Sequence, residues 1–240
     1  MNISSRSIVT IAAVLLLGCL ATPGRADILY VANFNGNTIE RFTADGVGTV
    51  FASSGLSNPY GLAFDSAGNL FVSNNNNKIV KITPSGATSV FASTGLSGPR
   101  GLAFDSAGNL YVANIGTASI VRFTPDGVGS VFASTGLLGP FGLAFDRAGN
   151  LFAANHSNNT IAKITPAGVS SLFVDTAFGQ PFSLAFDGVG NLLATNSLNS
   201  TIDRYTPDGA RSLFAGNGLT QPSGVAFDST GNLYESGGLR

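Results

Sequence analysis

Five copies of a short motif, Pro-x-Gly or Pro-x-Ser, vary at the middle residue, and this position carries the side chains best suited to binding. The five middle residues are Tyr60, Arg100, Phe141, Phe182 and Ser223. Aromatic rings and a guanidinium can anchor a peptide, a sugar or a small molecule by stacking, apolar contact and hydrogen bonding. The sequence around them is nearly constant, which indicates a repeated scaffold, whereas a bound partner breaks the equivalence of the copies. We therefore predict a binding site at Tyr60, Arg100, Phe141 and Phe182; alternatively, these side chains pack the junctions between blades.

The only histidine, His156, is the next candidate for chemistry. It lies in the segment NHSNNT, without a cysteine, a second histidine or an acidic residue nearby in sequence. A histidine can act as a general base or a metal ligand, although an exposed loop position is the simpler explanation of this one. Paired carboxylates are scarce, because Glu40 and Glu235 are the only two glutamates. We include His156 among the predicted binding residues and predict no catalytic residue, no metal ligand and no cofactor.

These positions belong to a repeat of about forty residues that predicts a β-propeller. The segment GLAFD or a close variant begins at residues 61, 101, 142, 183 and 224. A period near forty that contains several short strands is typical of propeller blades. Each period predicts four strands, which are strand a (GLAFD), strand b (LYVAN in the third copy), strand c (SIVRFT) and strand d (VGSVFAS). Because strand direction alternates, the d–a junctions and b–c loops are expected on one face and the other turns on the opposite face.

The ends of the repeat leave the number of blades open. The predicted propeller spans 27–240, with repeats that start near 27, 61, 101, 142, 183 and 224, of which the first and last are partial. The predicted fold class is all-β, with four-stranded antiparallel blades and five blade equivalents. In this arrangement the strand at 224–228 pairs with the first blade and closes the ring, which removes exposed sheet edges. The alternative is an incomplete six-bladed ring.

Three other columns of the repeat have structural explanations. An aspartate ends each strand a, a lysine or arginine occupies each strand c, and an asparagine ends each strand b. The aspartates fit turn caps, and the asparagines fit capping or left-handed positions. The cations are expected to pair with a carboxylate or a carbonyl, because a half-buried unpaired charge is costly. The columns are Asp65, Asp105, Asp146, Asp187 and Asp228; Arg41, Lys81, Arg122, Lys163 and Arg204; and Asn33, Asn74, Asn114, Asn155 and Asn196.

The first 26 residues are typical of a signal peptide. MNISSRS carries one positive charge, IVTIAAVLLLGCL (8–20) is apolar but short for a membrane span, and Gly24 and Ala26 offer a cleavage site. We predict export to the periplasm or the extracellular space without a membrane span; alternatively, LLGC (16–19) is a lipobox and Cys19 anchors a lipoprotein. Cleavage leaves 10 basic and 13 acidic residues, a net charge of −3, which argues against a nucleic-acid partner.

The unit Pro-x-Gly-Leu-Ala-Phe-Asp, followed by Gly-Asn-Leu-Tyr-Val-Ala-Asn and Ile-x-Arg/Lys-Phe, resembles the NHL repeat. The resemblance covers essentially all of 27–240 and implies a β-propeller, usually with six blades. It does not imply a single activity, since NHL-like propellers serve as interaction modules, as RNA binders and as relatives of enzymes. The chain is more distantly similar to streptogramin-lyase-like and gluconolactonase-like propellers, which use a metal or a His/Glu pair in the central mouth.

Two functions fit these residues. The first is an exported scaffold that binds a protein, peptide or carbohydrate through the face with the d–a junctions and b–c loops, without chemistry. The second is a metal-dependent propeller enzyme of the streptogramin-lyase or lactonase-like kind, which requires carboxylates or histidines that converge on the central mouth. The residue types at the junctions favour the first function.

Overall fold

The computed structural model describes residues 28–176 and 179–237 together with the backbone of 11–17, and within these ranges every regular element is a β-strand. Five antiparallel sheets of four consecutive strands follow one another along the chain. They are β1–β4 (Ile11–Leu17, Ile28–Asn33, Thr38–Phe42, Gly48–Ala52), β5–β8 (Pro59–Phe64, Leu70–Asn74, Lys78–Ile82, Thr88–Ala92), β9–β12 (Pro99–Phe104, Leu110–Asn114, Ser119–Phe123, Gly129–Ala133), β13–β16 (Pro140–Phe145, Leu151–Asn155, Thr160–Ile164, Ser170–Asp175) and β17–β20 (Pro181–Phe186, Leu192–Asn196, Thr201–Tyr205, Arg211–Ala215). A helix long and apolar enough to cross a membrane does not occur in the described part of the chain.

The first strand of each sheet lies on the inside of a ring. Neighbouring inner strands are in contact, from β1 through β5, β9 and β13 to β17. A sixth sheet has only two strands, β21 (Gly224–Phe227) and β22 (Leu233–Ser236), and β21 lies next to β17 on one side and β1 on the other. The prediction of an all-β propeller with five four-stranded blades is confirmed.

The first blade is completed by a different strand from the one predicted. β1 pairs with β2 as the inner strand of the first blade, and β21 pairs with β22. The expectation that 224–228 completes the first blade is therefore wrong. The hairpin of β21 and β22 closes through a short local turn, which costs less chain entropy than a pairing between the two ends of the chain. Apart from β1, the predicted signal peptide 1–26, with Cys19, lies outside the described residues.

The core consists of apolar layers between neighbouring blades. Strand b is buried along its whole length in the second to fifth blades, which explains its continuous apolar sequence. Between the third and fourth blades, Tyr111 packs against Leu151 and Ala153. The Tyr111 ring also makes edge-on contacts with Phe132 and Phe145, with centroids 4.8 and 5.0 Å apart. The same three-ring contact recurs in three other blades, so the repeat is a packing unit.

The aspartate column holds the a–b turns, as the sequence predicts. In the third blade, Asp105 Oδ1 accepts hydrogen bonds from the backbone N–H groups of Ala107 (3.0 Å) and Asn109 (2.8 Å), and Asp105 Oδ2 accepts one from Asn109 Nδ2 (2.8 Å). The same three bonds occur in the other four copies. In the last copy, desolvation acts to raise the pKa of Asp228, but hydrogen bonds from the turn lower it to about 2.

The asparagine column ties the d–a junctions to strand b. Asn114 Oδ1 accepts a hydrogen bond from the Ser97 N–H (3.2 Å), and Asn114 Nδ2 donates to the Gly95 carbonyl (2.9 Å). The predicted capping role is confirmed here. The left-handed backbone occurs a few residues later, at positions such as Asn77 and Asn159.

Two members of the cation column contact aromatic rings instead of the expected carboxylates or carbonyls. Lys81 Nζ lies 5.5 Å from the centroid of Phe71, and Lys163 Nζ lies 5.4 Å from that of Phe152. The reason is the strand register, since Phe71 pairs with Lys81 and Phe152 with Lys163 across neighbouring strands. A cation–π contact therefore replaces the predicted polar pairing at these two positions.

Candidate functional site

The inner strands approach each other too closely to allow a side chain directly after the first three variable positions, whereas the fourth, Phe182, is followed by Ser183. A Cβ atom on Gly61 would lie 2.2 Å from the carbonyl oxygen of Arg100, and one on Gly101 would lie 2.2 Å from that of Phe141. Real Cβ atoms stay at least 3.0 Å from such neighbours. The glycine of Pro-x-Gly is thus required by close packing around the ring axis. The variable residue in front of it is held at the start of an inner strand.

Four of the variable residues form one cluster, named here the channel mouth: Tyr60, Arg100, Phe141 and Phe182. The Arg100 Cζ atom lies 4.4 Å from the ring centroid of Tyr60 and 5.8 Å from that of Phe141. The centroids of Phe141 and Phe182 are 4.7 Å apart, and the Tyr60 centroid lies 6.0 Å from each of them. These separations are typical of aromatic pairs and cation–π contacts. The structure therefore brings together the four junction residues that the sequence predicts.

The histidine joins the same cluster from a b–c loop. The His156 ring centroid lies 4.7 Å from that of Phe141 and 5.8 Å from that of Phe182. The His156 N–H donates to the Gly139 carbonyl (3.1 Å), which ties the b–c loop to the d–a junction of the same blade. The two kinds of loop thus share one face, as the strand alternation predicts.

Two further residues of b–c loops contact the channel mouth and were not predicted from the sequence. The Phe34 centroid lies 5.7 Å from that of Tyr60, and Asn75 Oδ1 accepts long hydrogen bonds of 3.5 Å from Nη1 and Nη2 of Arg100. The sequence contains a signal for them, because the residue that follows the asparagine of strand b differs in every copy. The residues at this second variable position are Phe34, Asn75, Ile115, His156 and Ser197.

Burial changes the acid–base properties of the cluster. It raises the pKa of Tyr60 to about 12, although the positive charge of Arg100 opposes the increase. Burial also lowers the pKa of the Arg100 guanidinium and that of the His156 imidazole. At neutral pH the cluster consequently contains a neutral phenol, a neutral imidazole and one guanidinium cation.

A cavity of about 60 Å³ opens between the four side chains of the channel mouth, and His156 is not among the described residues that line it. The rest of its wall includes the backbone of the junction glycines and the residues Ser183 and Ser223. A space of this size suits a ring edge or a small polar group, so the remainder of a larger ligand would rest on the face. Within the described ranges, no three or more His, Cys, Asp or Glu side chains are grouped so that they could hold a metal ion.

The chain is similar to solved β-propellers in structure. It matches no protein-family model, and the comparison with curated proteins gives no match. A streptogramin B lyase structure superposes with a TM-score of 0.78 at 16% identity, over 98% of this chain and 93% of that one. A chain of a nidogen/laminin complex gives 0.77 at 22% identity, over 88% and 84%. A gluconolactonase from Xanthomonas campestris gives 0.76 at 19% identity, over 88% and 79%.

Similarity at these low identities establishes the fold. The chain is a β-propeller related in structure to streptogramin lyase and gluconolactonase propellers, whereas its membership of the NHL-repeat family stays a prediction.

Proposed function

We propose that this protein is a binding scaffold whose channel mouth holds an aromatic or apolar group of a peptide or small-molecule ligand, without chemistry. The observation that carries the proposal is the convergence of Tyr60, Arg100, Phe141 and Phe182 around one cavity. The repeat alone does not require these side chains, because the same position holds serine in the last copy.

The chemistry of the cluster supports binding. Half-buried aromatic rings supply apolar area at a low cost in side-chain entropy, and they anchor ligands in many interfaces. The polar side chains that line the cavity are few, which is the usual composition of sites that bind small molecules. Binding of a protein partner is also compatible with this fold, since one similar structure is a chain of a nidogen/laminin complex.

A paired substitution tests the proposal. Phe182→Ala removes one wall of the cavity, whereas Phe214→Ala removes a ring that is 46% exposed and is not among the residues that line it. Phenol, indole and benzoate serve as probes, and thermal shift and ligand-observed NMR measure their binding to the full chain. We expect saturable binding of at least one probe that Phe182→Ala abolishes and Phe214→Ala preserves. Binding of none of the probes, or equal binding by both variants, would contradict the proposal.

A second candidate function is supported by the structural similarity to a streptogramin B lyase and a gluconolactonase. In this alternative the mouth of this propeller would open a lactone ring, a reaction in which a divalent metal ion would polarise the carbonyl group. The described residues that line the cavity include no carboxylate or histidine to hold such an ion. The test incubates the purified chain with a streptogramin B antibiotic and with a simple sugar lactone, with added magnesium or with a chelator. Ring opening that the chelator abolishes would favour the enzyme over the scaffold, and unchanged substrates would favour the scaffold.

We also propose that the protein is exported, on the strength of its N-terminal sequence. Signal cleavage would remove the segment Ile11–Leu17, whereas the observed fold contains it. Ile11–Leu17 is part of the apolar run of the predicted signal peptide, and its backbone forms the inner strand of the first blade. Intact-mass measurement of the protein from its native host distinguishes the two, because cleavage after Ala26 removes β1 and retention keeps it.

A further inference from the structure

Arg100 is a half-buried cation without a carboxylate partner. Within the described residues the only ion pair joins Arg211 and Asp203, which are not among the residues that line the channel mouth. The Arg100 guanidinium donates one hydrogen bond of normal length, from Nη1 to the Pro99 carbonyl at 3.1 Å. Its bonds to Asn75 are long at 3.5 Å, and its Nε is buried without an acceptor among the described residues.

This arrangement leaves part of the hydrogen-bonding capacity of the guanidinium unused, since only one of its three bonds to described residues has a normal length. An arginine has five N–H donors in a planar fork, and burial makes each unpaired donor costly. The rings of Tyr60 and Phe141 compensate part of the charge through cation–π contact, but they accept no strong hydrogen bond. An acceptor with negative charge that enters the cavity would bind the terminal Nη donors, whose bonds to Asn75 are long, better than the protein does.

We propose that Arg100 makes the channel mouth an anion-selective subsite, which takes a carboxylate attached to an aromatic or apolar group. This inference rests on the proposed function and specifies the ligand of the same site. The planar fork of arginine matches a carboxylate, and charge-assisted pairs of this kind are roughly twice as strong as neutral hydrogen bonds. A cavity of about 60 Å³ suits a group as small as a carboxylate.

The surrounding rings then select what the carboxylate is attached to. Phe141 lies beside the guanidinium and Phe182 packs against Phe141, so the two rings offer apolar surface for a ring or an aliphatic chain. An aromatic cluster without Arg100 would suit a cationic ligand, because aromatic faces attract positive charge. The fixed cation reverses that preference, since a second positive charge in the same small cavity would be repelled.

Two matched pairs of probes test the charge preference. Benzoate and benzamide have nearly the same shape and differ in charge, and so do N-acetylphenylalanine and its carboxamide. Binding to the full chain is measured by ligand-observed NMR or calorimetry. We expect each acid to bind at least about tenfold more tightly than its amide, which corresponds to the strength of hydrogen bonds to a charged group. A preference within the first pair only indicates a small acid, and a preference in both pairs indicates that a peptide C-terminus also fits.

Three variants identify the source of the preference. Arg100→Gln should remove the preference, so that each acid binds no more tightly than its amide, whereas Arg100→Lys should keep part of the preference because the charge remains without the fork. Arg204→Gln removes one exposed cation outside the channel mouth and should change nothing, which controls for net charge. Equal binding of acids and amides, both lost in Phe182→Ala, would overturn this inference and leave the proposed function intact. Binding of none of the four probes would contradict both.

Discussion

Gly101→Ala is expected to destabilise the propeller and disturb the channel mouth, because the added Cβ meets backbone atoms. The Cβ would lie 2.2 Å from the carbonyl oxygen of Phe141 and 3.0 Å from the backbone nitrogen of Leu143. To restore a separation of 3.0 Å from that oxygen, the third and fourth inner strands must move apart by about 0.8 Å. No flexible side chain can absorb this shift. Overpacking of a well-packed interior costs about 1–3 kcal/mol, and a backbone clash belongs at the upper end of that range.

The measurement is urea unfolding of Gly101→Ala beside a matched control, Gly188→Ala. Gly188 has no neighbour within 4 Å of a built Cβ and no positive φ, so alanine there should be neutral or stabilise by about 0.4–1 kcal/mol. For Gly101→Ala we expect a loss of about 3 kcal/mol and a midpoint lower by roughly 6–12 °C in a thermal scan. Equal stability of the two variants would refute the reasoning that close strand approach requires glycine.

Three other perturbations follow from single contacts. Asp105→Asn should cost about 1 kcal/mol at neutral pH, because the charge-assisted hydrogen bonds to Asn109 weaken in a largely exposed turn. Desolvation acts to raise the pKa of Asp105 on folding, but hydrogen bonds from the turn lower it. The stability that Asp105 contributes is therefore present above the unfolded pKa and is lost as pH falls through the folded pKa. In urea unfolding between about pH 6 and pH 2, the free energy of unfolding should fall less for Asp105→Asn than for the wild type. Since burial raises the pKa of Tyr60 to about 12, Tyr60→Phe should remove one late-titrating phenol from the absorbance titration at alkaline pH, and loss of an early-titrating phenol would contradict the burial of that ring. Asp203 is fully buried, and its Oδ2 accepts from Arg211 Nε at 2.7 Å and from the buried Asn196 Nδ2 at 2.8 Å. Arg211→Ser should therefore cost about 1–3 kcal/mol, and Asp203→Val should cost at least as much, because it also leaves the Asn196 amide without this acceptor; unchanged stability of either variant in urea unfolding would contradict this.

The propeller was predictable because each copy of the repeat has nearly the same sequence and makes the same turn and packing contacts. GLAFD, DSAGN and TPDG recur because each blade needs the same inner strand and the same turns, and the hydrogen bonds of Asp105 show the reason at atomic detail. The pairing at the ends of the chain was not predictable from the repeat. The segments 11–17 and 224–228 both have strand-forming sequences, and pattern alone does not determine which of them lies beside β2.

The members of the channel mouth were predictable from the sequence, whereas the surrounding b–c loop residues were marked only by their variation and their contacts were not predictable. A position that varies within a constant motif indicated Tyr60, Arg100, Phe141 and Phe182, and the alternation of strand direction placed them on one face. Phe34 contacts Tyr60 across the boundary between blades, over a distance that no local pattern specifies. That no carboxylate pairs with Arg100 among the described residues was also not predictable, since a sequence gives the charges but not the distances between them.

Aromatic NMR of the full chain with N-acetylphenylalanine tests most directly whether the channel mouth is a ligand site. Phenylalanine and tyrosine ring signals assigned by the variants Tyr60→Phe, Phe141→Leu and Phe182→Leu are followed as the ligand is added. We expect saturable shifts of the Tyr60, Phe141 and Phe182 rings, while exposed Phe214 stays unchanged. Saturable shifts confined to rings outside the channel mouth, or none up to the solubility limit of the ligand, would contradict the account.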